Sequence, residues 1–334
     1  MSVTPYRLDC LRKWVALPAA APDCSPLSPT PWLALDLASG APDLDTAASV
    51  AWLQRVPVPT LAIGPCAAAP AIAGACDVHV ATETEAEPLL DGIRRSPIAA
   101  AVFVRLLRSS AHLDLESALF AESLAYSTLQ AGPEYGRWLA AHRAVAPARA
   151  TDTGPAVVLD REGEVLRLEL NRASNRNAMT VEMRDALCEA LALAVADTGI
   201  AQVHIRGRGK CFSTGGDLTE FGSTPDPATA HIVRTLALPG RLLAACADRA
   251  TVYVHGACIG SGIEFPAFAA RLVARRDAWF QLPELRYGLI PGAGGCVSLP
   301  RRIGRQRTAW LVLTGQRINA QTALDWGLVD ALSA

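Results

Sequence analysis

Two glutamates and two glycine-bearing turns carry the chemistry that this sequence can do. Glu264 ends the run Gly256-Ala257-Cys258-Ile259-Gly260-Ser261-Gly262-Ile263-Glu264. Glu284 follows Gln281-Leu282-Pro283 and leads into Gly288-Leu289-Ile290-Pro291-Gly292-Ala293-Gly294-Gly295. Ile263, Phe265 and Phe268 surround the first carboxylate, and Trp279, Phe280, Leu282 and Leu285 the second. Removal from water raises a carboxyl pKa, so such a pair can be held as one acid and one base. Taken singly, either glutamate reads as a partly exposed residue paired with Arg271 or Arg286; taken together beside glycine turns, they read as a site.

The second turn is Cys211-Phe212-Ser213-Thr214-Gly215-Gly216-Asp217. Both turns come after a strand and are expected to open a helix, where N–H groups lack intrahelical acceptors and the dipole is positive. Side by side they would aim fixed donors at one developing negative oxygen. Gly215, Gly216, Gly260 and Gly262 would let that oxygen reach the backbone.

The elements that must position these residues follow from periodicity. Residues 165–170 alternate as a half-buried strand, and residues 180–196 carry apolar positions at helical spacing behind Thr180 as N-cap. Residues 202–207 and 252–255 read as further strands, so the layering is α/β. Composition divides the chain into an N-terminal extension (1–31, proline-rich toward its end), a helix-rich α/β segment (32–150) and a catalytic segment (156–334), with a small, polar linker at 144–155. Val58-Pro59-Thr60-Leu61-Ala62-Ile63-Gly64 parallels Thr251-Val252-Tyr253-Val254-His255-Gly256, so one strand–turn–helix unit occurs twice, unless alanine-rich units merely look alike. The first copy has Ala and Pro in place of the glycines and carboxylate and would be catalytically empty.

The formal net charge of -1 provides no field that would favour nucleic acid or an anionic membrane surface. The arginine-rich stretches at 271–276 and 301–307 read first as solvated helix faces. No leader pattern opens the chain and no apolar run is long enough to span a bilayer. The nine cysteines lack metal-type spacing and read as reduced, core-filling thiols of a cytoplasmic protein; the six histidines also lack ligand spacing. A dinucleotide-binding reading fails because no glycine fingerprint opens a βαβ unit.

Five blocks in order, LRLELNRASNRNAM, FSTGGDL, HGACIGSGIEF, QLPELRYGLIPGAGG and TGQRINAQTALDWGLVD, resemble the crotonase (enoyl-CoA hydratase/isomerase) superfamily over residues 156–334. The resemblance implies a ββα spiral with flanking helices that binds an acyl-CoA. It puts the thioester-oxygen donors at the N–H groups of Gly216 and Ser261, the second position more often being glycine. The two hydratase glutamates fall on Glu264 and Glu284, with Gly292 against the water. Ser213, Gly215, Asp217 and Gly260 would shape the substrate site. Lysine is confined to Lys13 and Lys210, which leaves CoA phosphate contacts to arginines such as Arg172 or to Lys210. Phe221, His231, Leu236 and Leu238 are expected in the variable pocket wall.

The implied activity is hydration of a 2-enoyl-CoA in fatty acid metabolism, by a homo-oligomer of trimer or hexamer type. Neither a metal nor a redox cofactor is implied, CoA arriving as part of the substrate. Double-bond isomerisation, thioester hydrolysis and non-catalytic acyl-CoA binding are the alternatives. The chain stops shortly after Gly327-Leu328-Val329-Asp330, where family members continue with helices. Residues 96–108, 115–130 and 132–139 resemble those helices, so residues 32–143 read as a degenerate half whose helices serve the catalytic half.

Overall fold

The computed structural model describes residues 3–16, 24–142 and 151–333. Residues 17–23 of the proline-rich stretch and 143–150 of the expected linker lie outside the described residues; 24–31 hold no helix or strand.

The N-terminal part contains strands β1 (Tyr6–Arg7), β2 (Leu33–Asp36), β3 (Thr60–Ile63) and β4 (Val78–Val80), which form one parallel sheet in that order. Its helices are α1 (Cys10–Ala16), α2 (Thr46–Leu53), α3 (Pro70–Ala75), α4 (Glu83–Arg95), α5 (Pro97–Ser110), α6 (Leu115–Gln130) and α7 (Pro133–His142). The stretch expected as an extension thus supplies the edge strand of this sheet.

Beyond it come β5 (Val157–Glu162), β6 (Val165–Leu170), α8 (Val181–Ala196), β7 (Gln202–Gly207), α9 (Pro227–Leu236), α10 (Pro239–Ala245), β8 (Ala250–Val254), β9 (Ala257–Ile259), α11 (Ser261–Glu264), β10 (Arg271–Arg275) and β11 (Trp279–Gln281). The chain closes with α12 (Gly295–Ile303), α13 (Arg305–Thr314), β12 (Ile318–Asn319), α14 (Ala320–Trp326) and β13 (Ala331–Ser333). One sheet runs β13-β10-β8-β7-β6-β5, parallel except for the β5–β6 hairpin, and a smaller one runs β12-β11-β9. β8 and β10 each bend after a few residues into β9 and β11, and Ser213 bridges to Cys258, so successive coils give one strand to each sheet.

Burial follows the period of each element. β6 alternates half-buried and buried positions, with Leu166, Leu168 and Leu170 inside. α8 starts where expected, because the Thr180 hydroxyl accepts the N–H of Met183. Two expectations are corrected. The turn before Asp217 leads into a single 3₁₀ turn, Leu218–Glu220, and not into an α-helix. Glu264 ends a one-turn helix because Pro266 follows and starts its own 3₁₀ turn, so the apolar helix expected around it does not extend.

The helices α4 to α7 do not stay with the N-terminal sheet. α4 lies on α13, α5 and α6 on α12, α6 on α9, and α7 on the 3₁₀ turn Glu284–Tyr287. A Cβ added at Gly92 would sit 1.7 Å from the Leu313 carbonyl oxygen, so glycine alone lets α4 and α13 meet backbone to backbone. The Ser96 hydroxyl donates to the Leu285 carbonyl at 2.6 Å. Buried Asp77, at the end of α3, pairs with Arg108 of α5 and with Arg305 of α13, whose guanidinium also bonds the carbonyls of Gly74, Ala75 and Cys76. One continuous apolar core therefore runs from β3 and β4 through α4 and α5 to the sheet of β5 to β13.

Candidate active site

The two glycine turns meet. A Cβ added at Gly215 would lie 2.6 Å from the Ile259 carbonyl oxygen, and one at Gly262 would lie 2.5 Å from the Ser213 carbonyl oxygen. Gly215 and Gly260 both have positive φ, at 84° and 51°, a conformation that side-chain-bearing residues rarely adopt. Among the described residues no protein acceptor takes the N–H of Gly216 or of Ser261. Both open onto a cleft of about 300 Å³ that is also lined by Gly215, Asp217, Gly260, Glu264, Glu284 and Gly292.

The point where a Gly260 Cβ would sit is 2.8 Å from Glu284 Oε1 and 3.7 Å from Glu264 Oε1, so both carboxyls converge on one side of that turn. They are only 3 % and 9 % exposed, and neither is in an ion pair among the described residues. Their surroundings differ. Glu264 Oε2 accepts the N–H of Ala293 at 2.7 Å and of Gly295 at 3.0 Å, whereas Glu284 Oε2 has no protein partner among the described residues. Burial pushes Glu264 up to about 7, opposed by those backbone N–H groups. Burial, and then the charge of Glu264, push Glu284 well above the ordinary carboxylate range. Near neutral pH the arrangement supports one carboxylate, Glu264, and one carboxylic acid, Glu284.

A third buried carboxyl stands behind the first. Glu122 of α6 accepts the N–H of Gly294 and of Cys296, each at 2.7 Å. The four N–H groups that open α12 are thus taken alternately, 293 and 295 by Glu264, 294 and 296 by Glu122. Burial and the neighbouring Glu264 raise Glu122 to about 8. Tyr126, one turn further along α6, lies against Gly292, where an added Cβ would come within 2.3 Å of its ring.

The family model for enoyl-CoA hydratase/isomerase matches residues 160–334. The chain belongs to the enoyl-CoA hydratase/isomerase family. The 2,3-dehydroadipyl-CoA hydratase of Escherichia coli (strain K12) is 35% identical over 174 residues, which are 52% of this chain and 68% of that protein. The alpha subunit of the fatty acid oxidation complex of Shewanella loihica is 32% identical over 187 residues, 54% of this chain and 25% of that one. The crystal structure of an enoyl-CoA hydratase from Bacillus anthracis superimposes with a TM-score of 0.50 at 27% identity, over 53% of this chain and 70% of that chain. These matches fall on about half of the chain, and the ββα spiral expected from the resemblance is the fold of that half.

Within this family member the expected site residues separate into two groups. Glu264, Glu284, Gly216, Ser261, Gly292, Gly215, Gly260 and Asp217 line one cleft. Ser213 and Arg172 do not, and both expectations are corrected. The Ser213 hydroxyl is spent inside the turn, donating to the Asn177 carbonyl and accepting the Gly215 N–H. Arg172 is buried, pairs with Glu182, and bonds the carbonyls of Gly154, Pro155 and Asn171, so it braces the start of the catalytic segment outside the cleft.

Of the expected wall residues, Phe221 lines the cleft and Leu238 a neighbouring one, whereas His231 bonds Ser123 and Leu236 is 74% exposed. The sequence reading missed Glu122, Tyr126 and Arg234. Glu122 had left a signal, since it falls on the apolar stripe formed by Leu115, Ala118 and Leu119 at helical spacing, and a charge on such a stripe needs a buried partner. Among the described residues no group of three or more His, Cys, Asp or Glu is placed to hold a metal ion, and no helix is long and apolar enough to cross a membrane.

Proposed function

We propose that the chain adds water to a 2-enoyl-CoA thioester to give the 3-hydroxyacyl-CoA. The observation that carries this reading is the convergence of two buried carboxyls, Glu264 held by two backbone N–H groups and Glu284 with Oε2 unpartnered among the described residues, beside the N–H donors of Gly216 and Ser261. With the thioester oxygen on the N–H groups of Gly216 and Ser261, the β-carbon faces the two glutamates. Glu264 removes a proton from water as its oxygen bonds to the β-carbon, and the electron pair of the double bond moves toward the thioester oxygen. That negative charge is held by fixed N–H dipoles, each worth roughly 10²–10³ in rate at comparable sites. The enolate then takes its α-proton from Glu284, and the proton held by Glu264 returns to Glu284 through the water position between them. The thioester supplies the acidity, so neither a metal nor a redox cofactor takes part in this reading.

Further support comes from the surroundings. Nine free thiols suit a reducing, cytoplasmic compartment, and relatives named as a 2,3-dehydroadipyl-CoA hydratase and a fatty acid oxidation subunit support a role in acyl-CoA metabolism. The N-terminal segment, 32–150, is in this reading a catalytically empty half of the same spiral. β3, α3 and β4 repeat the order strand, turn, helix and parallel strand of β8, α11 and β10, and α4 to α7 cover the catalytic half. Self-association as a homo-oligomer is part of the same proposal.

The test is hydration of crotonyl-CoA, followed by loss of enoyl-thioester absorbance, for wild type beside Glu264→Gln and Glu284→Gln. Each variant should lose about 10²–10⁴-fold in kcat, the usual worth of a positioned acid or base, while keeping fold and CoA binding. A wild type inactive on short, long and aromatic enoyl-CoAs would transfer the reading to isomerisation, thioester hydrolysis or non-catalytic binding.

A further inference from the structure

Arg234 is a cation in the wall of the cleft with no anion of its own. It projects from α9 toward α6, is half-buried, and lines both the catalytic cleft and the neighbouring one of about 430 Å³. Its Nε donates to Ser123 Oγ at 3.2 Å and its Nη1 to Gln130 Oε1 at 3.0 Å; Nη2 donates to the Ser123 carbonyl at 3.3 Å and to Ser127 Oγ. The guanidinium also stands over the Tyr126 ring, 4.5 Å from its centroid. Every one of these partners is neutral. No ion pair of Arg234 exists among the described residues. The carboxyl that acts on it from nearby, Glu122, makes no ion pair with it and has both oxygens engaged by the N–H groups of Gly294 and Cys296, and burial pushes it up to about 8.

A positive charge partly withdrawn from water and compensated by dipoles alone favours an anionic partner, and a carboxylate ligand supplies one. The location fits such a ligand. From Glu264 the path runs through Ala293 to Gly292, whose α-carbon lies against Tyr126, and Tyr126 lies under Arg234. In the orientation of the proposed function the glutamates flank the reacting carbons, and the acyl chain is the part of the substrate directed past Gly292. The Ser127 hydroxyl donates to the Pro227 carbonyl and the Ser123 hydroxyl is bonded to His231 Nδ1, so of the groups around Arg234 the amide of Gln130, whose oxygen accepts from Arg234, is the one that can turn to present donors to a carboxylate.

We propose that Arg234 receives a carboxylate at the far end of the acyl chain, so that the enzyme's substrate class is the 2-enoyl-CoA thioesters of dicarboxylic acids. The inference rests on the hydratase reading for its chemistry but not for its binding. The decisive experiment therefore has two arms. The first compares kcat/KM for 2,3-dehydroadipyl-CoA and hex-2-enoyl-CoA, which differ in the remote carboxylate. The second compares the affinities of the saturated adipyl-CoA and hexanoyl-CoA by calorimetry. Wild type should favour the acid by about 10- to 100-fold in both arms, the scale of charge-assisted hydrogen bonds. Arg234→Met should collapse that ratio toward one, and Arg234→Lys should keep part of it, with thermal melts showing both variants folded.

No preference in wild type overturns the proposal, and so does an Arg234→Met variant that loses rate or affinity equally for both members of a pair, which would mark a structural or CoA-phosphate role. Tighter binding of adipyl-CoA without hydration of any enoyl-CoA would sink the hydratase reading and leave the carboxylate site standing.

Discussion

A buried carboxyl that ionises makes it harder for a second one beside it to do so, and the site is organised by that repulsion. Glu264 Oε2 has two N–H donors to stabilise its charge and Glu284 Oε2 has none among the described residues, so backbone geometry favours ionisation of Glu264 first. The proposed mechanism then requires kcat/KM to rise about tenfold per pH unit below about 7, where Glu264 becomes ionised, and to fall at higher pH as Glu284 loses its proton. A pH–rate profile on crotonyl-CoA that rises only below pH 5 would exclude Glu264 as the base. Glu122 makes a separate prediction about stability. Its folded-state pKa is raised to about 8, so between the ordinary carboxyl value and 8 the folded chain keeps a proton that the unfolded chain has released. Its contribution is therefore complete at low pH and is lost as pH rises through that window, by an amount on the order of a few kcal/mol. Urea midpoints at pH 5 and pH 8 should differ less in Glu122→Gln than in wild type; an unchanged difference would count against a buried, protonated Glu122.

At the scale of elements, α12 is the joint. Its first N–H groups are shared between a carboxyl group from α11 and one from α6, so the helix is anchored from both halves of the chain. The contact of α4 with α13 is a second joint, and Gly92 is its weak point. Gly92→Ala places a methyl where the Leu313 carbonyl is, and should cost about 1–3 kcal/mol or more as the helices are forced apart; a melting temperature unchanged from wild type would refute that tight approach.

This is also the scale at which sequence reading succeeded and failed. The glycine turns and the glutamates were legible because a close backbone approach demands glycine and a charge in an apolar run demands a partner. α8 was legible because Thr180 caps a helical stripe, and α6 through its resemblance to the family's terminal helices. β9, β11 and β12 are two or three residues long and leave no period to detect. Arg172 and Ser213 were misplaced because Glu182 and Asn177, which claim them, act through tertiary contacts that no local pattern shows. Pro266 is the local signal that ends the Glu264 helix, since proline cannot continue it.

At the scale of the molecule, the cover of the catalytic half lies upstream of it in the chain. A chain lacking residues 1–150 would lose Glu122, Tyr126, the α4–α13 contact and the Asp77–Arg305 pair together, and would bare the apolar faces of α12 and α13. Such a chain should be recovered aggregated or inactive, as judged by gel filtration and crotonyl-CoA hydration; a soluble, active product would show the first half to be dispensable.

The same order sets a problem in time. Glu122 leaves the ribosome 172 residues ahead of the Gly294 N–H that it accepts, and Ser96 leaves 189 residues ahead of Leu285. Four helices must therefore wait, with their apolar sides open, until the surface that they cover has been synthesised, and contacts so distant along a chain form late. The nascent first half is thus a client for chaperones, and newly made protein should depend on them far more than the finished enzyme does.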